Sequence, residues 1–159
     1  MILSEKLETS QKTFEKWRTL PFSERQQYLF KLADLLENNA EKFGKNITQE
    51  MNKPLSQSIA EIEKCALMAR YYGNAANILK PEKIKTEYKV SEIHYPPLGV
   101  ILGVMPWNFP FWQVLRFAVP AILAGNTVVL KHASICFGSG KMIEKLFADA
   151  GFPKGVFQN

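Results

Sequence analysis

A chain of 159 residues with 47% hydrophobic and 22% charged side chains is long and apolar enough for one domain with a real core. Its formal charge of +5 is spread through pairs such as Glu5-Lys6, Glu15-Lys16 and Glu63-Lys64, with no arginine-rich block and no zinc-finger spacing, which favours a solvated mixed-charge surface over a nucleic-acid site. Apolar runs no longer than a strand argue against a membrane span or a secretory leader, and two cysteines with two histidines are too few for a disulfide scaffold or a zinc site; no metal and a reducing, cytoplasmic setting are expected.

The first 80 residues read as helices. Ser23-Glu24-Arg25-Gln26 follows the capping-box pattern, in which the serine oxygen accepts from the third amide and the glutamine answers back, and Pro21 stands just before it. Leu29, Leu32, Ala33, Leu36 and Ala40 then recur at helical spacing and predict one buried face. Gly44 weakens the pattern and Asn52-Lys53-Pro54 ends it. A longer helix is predicted over 55–79, with Ile59, Ile62, Ala66 and Ala69 along one stripe. Cys65 falls in it as a small, semi-buried thiol, with neither a histidine nor a glycine-rich turn nearby to lower its pKa. From Lys83 to Tyr95 the period changes to two: Ile84, Thr86, Tyr88, Val90, Ile93 and Tyr95 alternate with charged residues. That predicts one or two strands that bury a single face, bend at Ser91-Glu92 and need another segment or chain at their edge.

After Pro96-Pro97, the run Val100-Ile101-Leu102-Gly103-Val104-Met105 predicts a buried strand. Residues 111–124 follow helical spacing through Phe111, Leu115, Ala118 and Ile122, with a kink expected at Pro120. Gly125-Asn126 turns the chain, Thr127 to Leu130 is a second buried strand, and a last helix over 139–150 is stopped by Gly151 and Pro153. Strand, helix, strand, helix reads as a parallel pair with a crossover, an α/β layered fold in which two strands leave an edge unpaired. Ligands of such sheets bind beyond the carboxyl ends of the strands. Asn108 and Lys131 therefore put an amide and an ammonium at neighbouring strand tips, beside Trp107. Neither Gly-x-Gly-x-x-Gly nor Gly-x-x-x-x-Gly-Lys is present to cradle phosphate. On spacing alone Asn108 reads more readily as a turn former, Lys131 equally well as the end of a strand, and Trp107 as core.

Pro97-Leu98-Gly99-Val100, Pro106-Trp107-Asn108-Phe109-Pro110, Pro120-Ala121, Ala124-Gly125-Asn126-Thr127-Val128-Val129 and Ala150-Gly151-Phe152-Pro153-Lys154-Gly155-Val156 fall in the order and spacing of the aldehyde dehydrogenase superfamily. Upstream, Glu50-Met51-Asn52-Lys53-Pro54-Leu55 and Glu61-Ile62-Glu63-Lys64-Cys65-Ala66 look like that family too. The chain thus resembles the N-terminal portion of an aldehyde dehydrogenase over nearly its whole length, and Lys131-His132-Ala133 resembles the succinate-semialdehyde dehydrogenase branch. The resemblance implies a truncated form of that fold, a partial NAD(P)-binding domain over 1–159. It has helices over 1–80, a β arm for oligomerisation over 83–96, and over 97–159 the first βαβα part of a Rossmann-like parallel sheet.

The function implied is oxidation of an aldehyde, succinic semialdehyde in this branch, to a carboxylic acid with NAD or NADP. A cysteine thiolate attacks the carbonyl, a hydride leaves to the nicotinamide, and water releases the acid. In that scheme Asn108 is the catalytic oxyanion donor, and Lys131 holds the adenosine ribose. Met105, Pro106 and Trp107 wall the cofactor cleft, and Ala133 and Ser134 belong to the cofactor-binding turn. Ser134 stands where many NAD-preferring relatives carry a glutamate; its hydroxyl permits a 2′-phosphate, and hence NADP. Cys136 sits too close to the cofactor lysine to be the family nucleophile, and His132 reads as a packing or hydrogen-bonding residue. The family's later glycine-rich turn, general-base glutamate, cysteine nucleophile and substrate domain are not matched. The chain alone is therefore expected to be inactive: one half of a split enzyme, or an oligomerisation or regulatory module, joined to further copies or to a complementary chain.

Overall fold

The computed structural model describes residues 3–77 and 79–159. The helical reading at residues 1–2 and at Ile78, and the start of the expected absence of a leader, lie outside the described residues. Four helices fill the first half: α1 (Leu3–Trp17), α2 (Phe22–Asn38), α3 (Ala40–Met51) and α4 (Leu55–Asn74). Leu29, Leu32, Ala33 and Leu36 are buried, as their spacing predicts. The capping box at Ser23 does not form. With its φ fixed, Pro21 becomes the N-cap, and Ser23 falls inside the first turn with no cap bond. Gln26 reaches across instead, donating to the carbonyls of Tyr72 and Ala75 at 3.1 and 2.8 Å and tying down the end of α4. The break in this segment comes at Asn39, whose amide turns back to the Leu35 carbonyl at 2.8 Å, and Gly44 lies buried within α3. α4 stops at Asn74, short of the expected 79, and Cys65 is fully rather than partly buried in it.

The alternating segment forms a small antiparallel pair, β1 (Glu82–Lys83) with β2 (Glu92–Ile93), in which Glu82 faces Ile93 and Lys83 faces Glu92. Ser91-Glu92 is not the bend. The Ser91 carbonyl accepts from the Ile84 amide at 2.9 Å, and the chain reverses over 87–89. Among the described residues nothing covers either face fully, and Ile84, Tyr88, Val90, Ile93 and Tyr95 all stand exposed.

The second half is a three-stranded parallel sheet in the order β3 (Val100–Val104), β4 (Thr127–Lys131), β5 (Phe157–Gln158). Val100 pairs with Thr127 and Val104 with Lys131, so the first two strands end level. β4 is central and buried over its first four residues. The sheet therefore has a third strand that the sequence reading lacks; two residues are too short to show a period. β3 is an edge strand with one face open, Leu102 and Val104 being 63% and 64% exposed, rather than the buried strand expected. Gly103 is on its covered face, where a Cβ would come within 2.6 Å of Phe117. α5 (Pro110–Leu123) makes the crossover with Pro120 inside it, and α6 (Phe137–Asp149) follows a short 3₁₀ turn (Ser134–Cys136). Among the described residues no helix is long and apolar enough to cross a membrane.

One core joins the two halves: Trp17, Leu29, Leu36, Phe43, Ile47, Ile62, Phe111, Leu115, Ile122, Ile143 and Phe147 belong to a single buried cluster. Full burial of each such side chain contributes about 1.5–3 kcal/mol. Trp17 also donates its indole N–H to the Ile122 carbonyl at 2.9 Å, and Ser10 donates to the Gly155 carbonyl at 2.9 Å, so α1 is fastened to α5 and to the loop before β5. Asn126 fixes the start of the sheet. Its side-chain oxygen accepts from the amides of Leu98 and Gly99 at 2.7 and 3.1 Å while its amide donates to Ala121 at 2.9 Å.

Candidate active site

β3 hands its direction on to the loop that follows. The Met105 amide donates to the Lys131 carbonyl at 3.2 Å, one rung past the strand, and the chain then leaves through Pro106-Trp107-Asn108-Phe109. Pro110 starts α5, where its missing N–H costs nothing. Phe109 is the N-cap and has no side chain able to accept, so the cap comes from elsewhere: Glu61 of α4 accepts from the amides of Phe111 and Trp112 at 2.9 and 3.0 Å. The Glu61 side chain is only 2% exposed and is neutralised by the Lys53 ammonium at 2.7 Å.

Asn108 is exposed, and among the described residues its side-chain amide has no hydrogen-bond partner. It opens on a cleft of about 470 Å³ shared with Lys53, Gln57, Lys64, Trp112 and Arg116. Lys64 lies over the Trp112 ring at 4.0 Å and Lys53 over the Phe109 ring at 4.1 Å. Arg116, one turn along α5 from Trp112, forms no ion pair among the described residues. The cleft is thus cationic, and an anionic group entering it meets Lys64 and Arg116 with no exposed carboxylate among the lining residues.

On the other side of the loop, Lys131 is exposed at the tip of β4 and, among the described residues, has no ion-pair partner. His132 next to it is buried. Its Nδ1 accepts the Ala133 amide at 2.8 Å, so its proton sits on Nε2, which donates to the Pro110 carbonyl at 3.0 Å. Burial holds its pKa below the usual histidine value, against the pull of the Pro110 carbonyl and the Glu50 charge. Ala133 is half-buried with its amide committed to that ring, and Ser134 is exposed. Met105 is half-buried and Pro106 exposed. Trp107 is 57% exposed, so it does not belong to the core. Lys131, Ala133 and Ser134 are not among the residues that line the cleft at Asn108. Lys131 and Ser134 are exposed, as are the apolar surfaces of Trp107 and Ile135. The start of α6 is no phosphate site, because Glu50 already accepts from the Ser139 amide at 3.1 Å.

Neither cysteine is equipped as a nucleophile. Burial, with Glu50 and Glu61 nearby, pushes the Cys136 thiol up to about 11, and its sulfur lies 3.7 Å from Met51 Sδ and from the Trp107 carbonyl. Burial and then Glu61 push Cys65 up as well. Four functional candidates escaped the sequence reading, though each carried a signal. Arg116 is the one charge in the apolar sequence of α5. Glu61 sits on the buried stripe of α4 beside Ile62 and Cys65, where an isolated carboxylate is too costly to leave without partners. Lys64 lies in the same family-like run as Glu61, and Lys53 lies in the other, Glu50 to Leu55, as well as in the helix stop.

A parallel α/β sheet with polar side chains exposed just past its strand ends defines the class: an α/β protein of the layered kind whose ligands, as a rule, bind beyond the carboxyl ends of the strands. The aldehyde dehydrogenase family matches residues 3–159, and the chain belongs to that family. It is 50% identical over 154 residues to a probable NADP(+) succinate-semialdehyde dehydrogenase of Synechocystis sp., covering 96% of this chain and 34% of that protein. An Escherichia coli (strain K12) succinate semialdehyde dehydrogenase of the NAD(P)+ type is 42% identical over 145 residues, covering 91% and 31%. The crystal structure of succinic semialdehyde dehydrogenase from Streptococcus pyogenes in complex with NADP+ superposes with a TM-score of 0.94 at 34% identity, covering 99% of this chain and 35% of that one. The chain spans about a third of the length of the curated relatives it matches.

Proposed function

We propose that this chain supplies the oxyanion donor and the adenosine-side cofactor contacts of an NAD(P)-dependent aldehyde dehydrogenase acting on succinic semialdehyde. The observation that carries the reading is the Asn108 amide, without a partner among the described residues and open to a cationic cleft at a strand tip. As a nucleophile adds to the aldehyde, negative charge gathers on the carbonyl oxygen. A preorganised amide N–H aimed at it lowers the barrier by about 3 kcal/mol. The carboxylate at the other end of the substrate pairs with Arg116 and Lys64, which favours a semialdehyde over an uncharged aldehyde.

On the opposite face Lys131 holds the adenosine ribose, Met105, Pro106 and Trp107 wall the cofactor, and Ala133 spaces the turn. Ser134 leaves room for a 2′-phosphate and can donate to it, a reading supported by the NADP named for the Synechocystis and Streptococcus relatives. The bound cofactor accepts the hydride. Because Cys65 and Cys136 are both buried with raised pKa values, the attacking thiolate comes from outside these 159 residues, and the chain alone does not turn over. It acts as one part of a larger enzyme, or of a split one completed by a second chain. The arm over 83–96 joins subunits into a homo-oligomer through Ile84, Tyr88, Val90, Ile93 and Tyr95. Those exposed residues equally favour the second reading, a non-catalytic assembly module. Two free cysteines fit a reducing, cytoplasmic setting.

The test is co-expression of this chain with the complementary two thirds of the Synechocystis relative. The assembled pair is expected to oxidise succinic semialdehyde with NADP, this chain alone is not, and Asn108→Ala in the pair is expected to lower kcat about a hundredfold or more. Turnover unaffected by Asn108→Ala contradicts the oxyanion assignment and leaves the assembly reading.

A further inference from the structure

We propose that Glu61 and Lys53 are positioning residues that aim the Asn108 amide, an inference that rests on the oxyanion reading of Asn108. The first turn of a helix leaves its backbone N–H groups without intrahelical partners. Here Pro110 has no N–H, and Gln113 donates to the Phe109 carbonyl at 2.9 Å. The two that remain, on Phe111 and Trp112, both go to one oxygen of Glu61 at 2.9 and 3.0 Å. The loop's own residues therefore supply none of the caps, and Asn108 is released from the task that an asparagine near a helix start commonly performs.

The other Glu61 oxygen receives the Lys53 ammonium at 2.7 Å. Lys53 comes from the link between α3 and α4, next to Asn52 in the left-handed region at φ 51°, and its ammonium also lies 4.1 Å from the Phe109 ring centroid. The residue after Asn108 is thus held by a cation over its ring, and the helix that follows is held by a carboxylate on its first amides. A buried carboxylate is a stronger cap than a neutral side chain, because its hydrogen bonds are charge-assisted and it faces the positive end of the helix. Two backbone hydrogen bonds and an ion pair offset the cost of burying it. From the far side, His132 donates to the Pro110 carbonyl at 3.0 Å, so the loop is gripped from two directions. Such rigidity has a catalytic use: a donor misplaced by about 1 Å costs about a hundredfold in rate.

The test uses the ¹⁵N-labelled 159-residue chain as wild type, K53M/E61Q and K53M/E61M. Each double variant removes both charges together, so no buried ion is left unpaired, and methionine keeps the length of glutamate. Hydrogen exchange at Phe111 and Trp112 and the side-chain amide resonances of Asn108 are read, with amides 114–119 as the control for the fold. Protection at Phe111 and Trp112 is expected to fall in the order Glu, Gln, Met, by about tenfold in the methionine form. The Asn108 side-chain resonances are expected to shift from their wild-type positions and broaden in that form, as the loop loses its fixed orientation, and to be restored by glutamine. Unchanged protection and unchanged Asn108 resonances in K53M/E61M overturn the proposal, as does a loss spread evenly over α5. Should the methionine form fail to fold, K53M/E61Q decides: a drop of about threefold confined to Phe111 and Trp112 supports it, and no drop overturns it. None of these outcomes depends on whether Asn108→Ala affects turnover, so the two readings fail separately.

Discussion

Asn108, Lys131 and Arg116 are polar groups that the described chain leaves without partners, whereas Glu61, Glu50 and His132 are polar groups that it satisfies completely. The first set is available to a ligand, and the second holds the backbone that presents it. His132 carries a consequence for acid stability. Its folded pKa is held below the ordinary 6.5 by burial, so the unfolded chain binds the proton more readily than the folded one. The contribution is therefore complete above pH 6.5 and is lost as the pH falls from there toward the folded value. Thermal denaturation midpoints measured from pH 7.5 to 5 are expected to decline across that window. His132→Gln, which keeps a donor to Pro110 without the titration, is expected to flatten the decline. An unchanged slope would show that His132 does not titrate between the two states. At this scale the sequence was partly legible. Asn108 and Lys131 were found through the wording of the surrounding motif, since an amide after a strand is as well suited to a turn. Arg116 and Glu61 were visible as charges on apolar helix faces, but only the folded contacts separate a ligand-facing cation from a buried cap.

Among the elements, the strands and helices with one strong period came through best. Thr127 to Leu130 is β-branched or leucine throughout and lies buried in the centre of the sheet, so pattern and environment agree. The failures have local causes. Pro21 moved the start of α2 and left Ser23 inside the turn, and β5 was too short to show a pattern. In the arm the alternation is real, yet among the described residues the side it should bury stays exposed. The joint between α1 and the loop before β5 is less visible still, because it depends on one glycine. Gly155 has φ 97°, and a Cβ there would stand 2.6 Å from Thr13 Oγ1 and 2.8 Å from the Thr9 carbonyl. Gly155→Ala is expected to destabilise the chain by about 1–2 kcal/mol or more from the left-handed backbone alone. Urea denaturation measures it, and a variant as stable as wild type would mean that α1 is not seated on the sheet as described.

Taken as a whole, the molecule is a helical layer and a short parallel sheet fused through one core, with three open features: the cleft at Asn108, the face at Lys131 and Ser134, and the arm. Leu102 and Val104 on β3 add a further exposed apolar surface. The central claim is that the face at Lys131 and Ser134 is a cofactor half-site, and calorimetric titration of the purified chain with NADP and with NAD tests it most directly. The account predicts saturable binding of NADP that Lys131→Met weakens about tenfold or more, and a shift of preference toward NAD in Ser134→Glu through repulsion of the 2′-phosphate. A soluble chain that binds neither cofactor, or whose binding is indifferent to both substitutions, contradicts it.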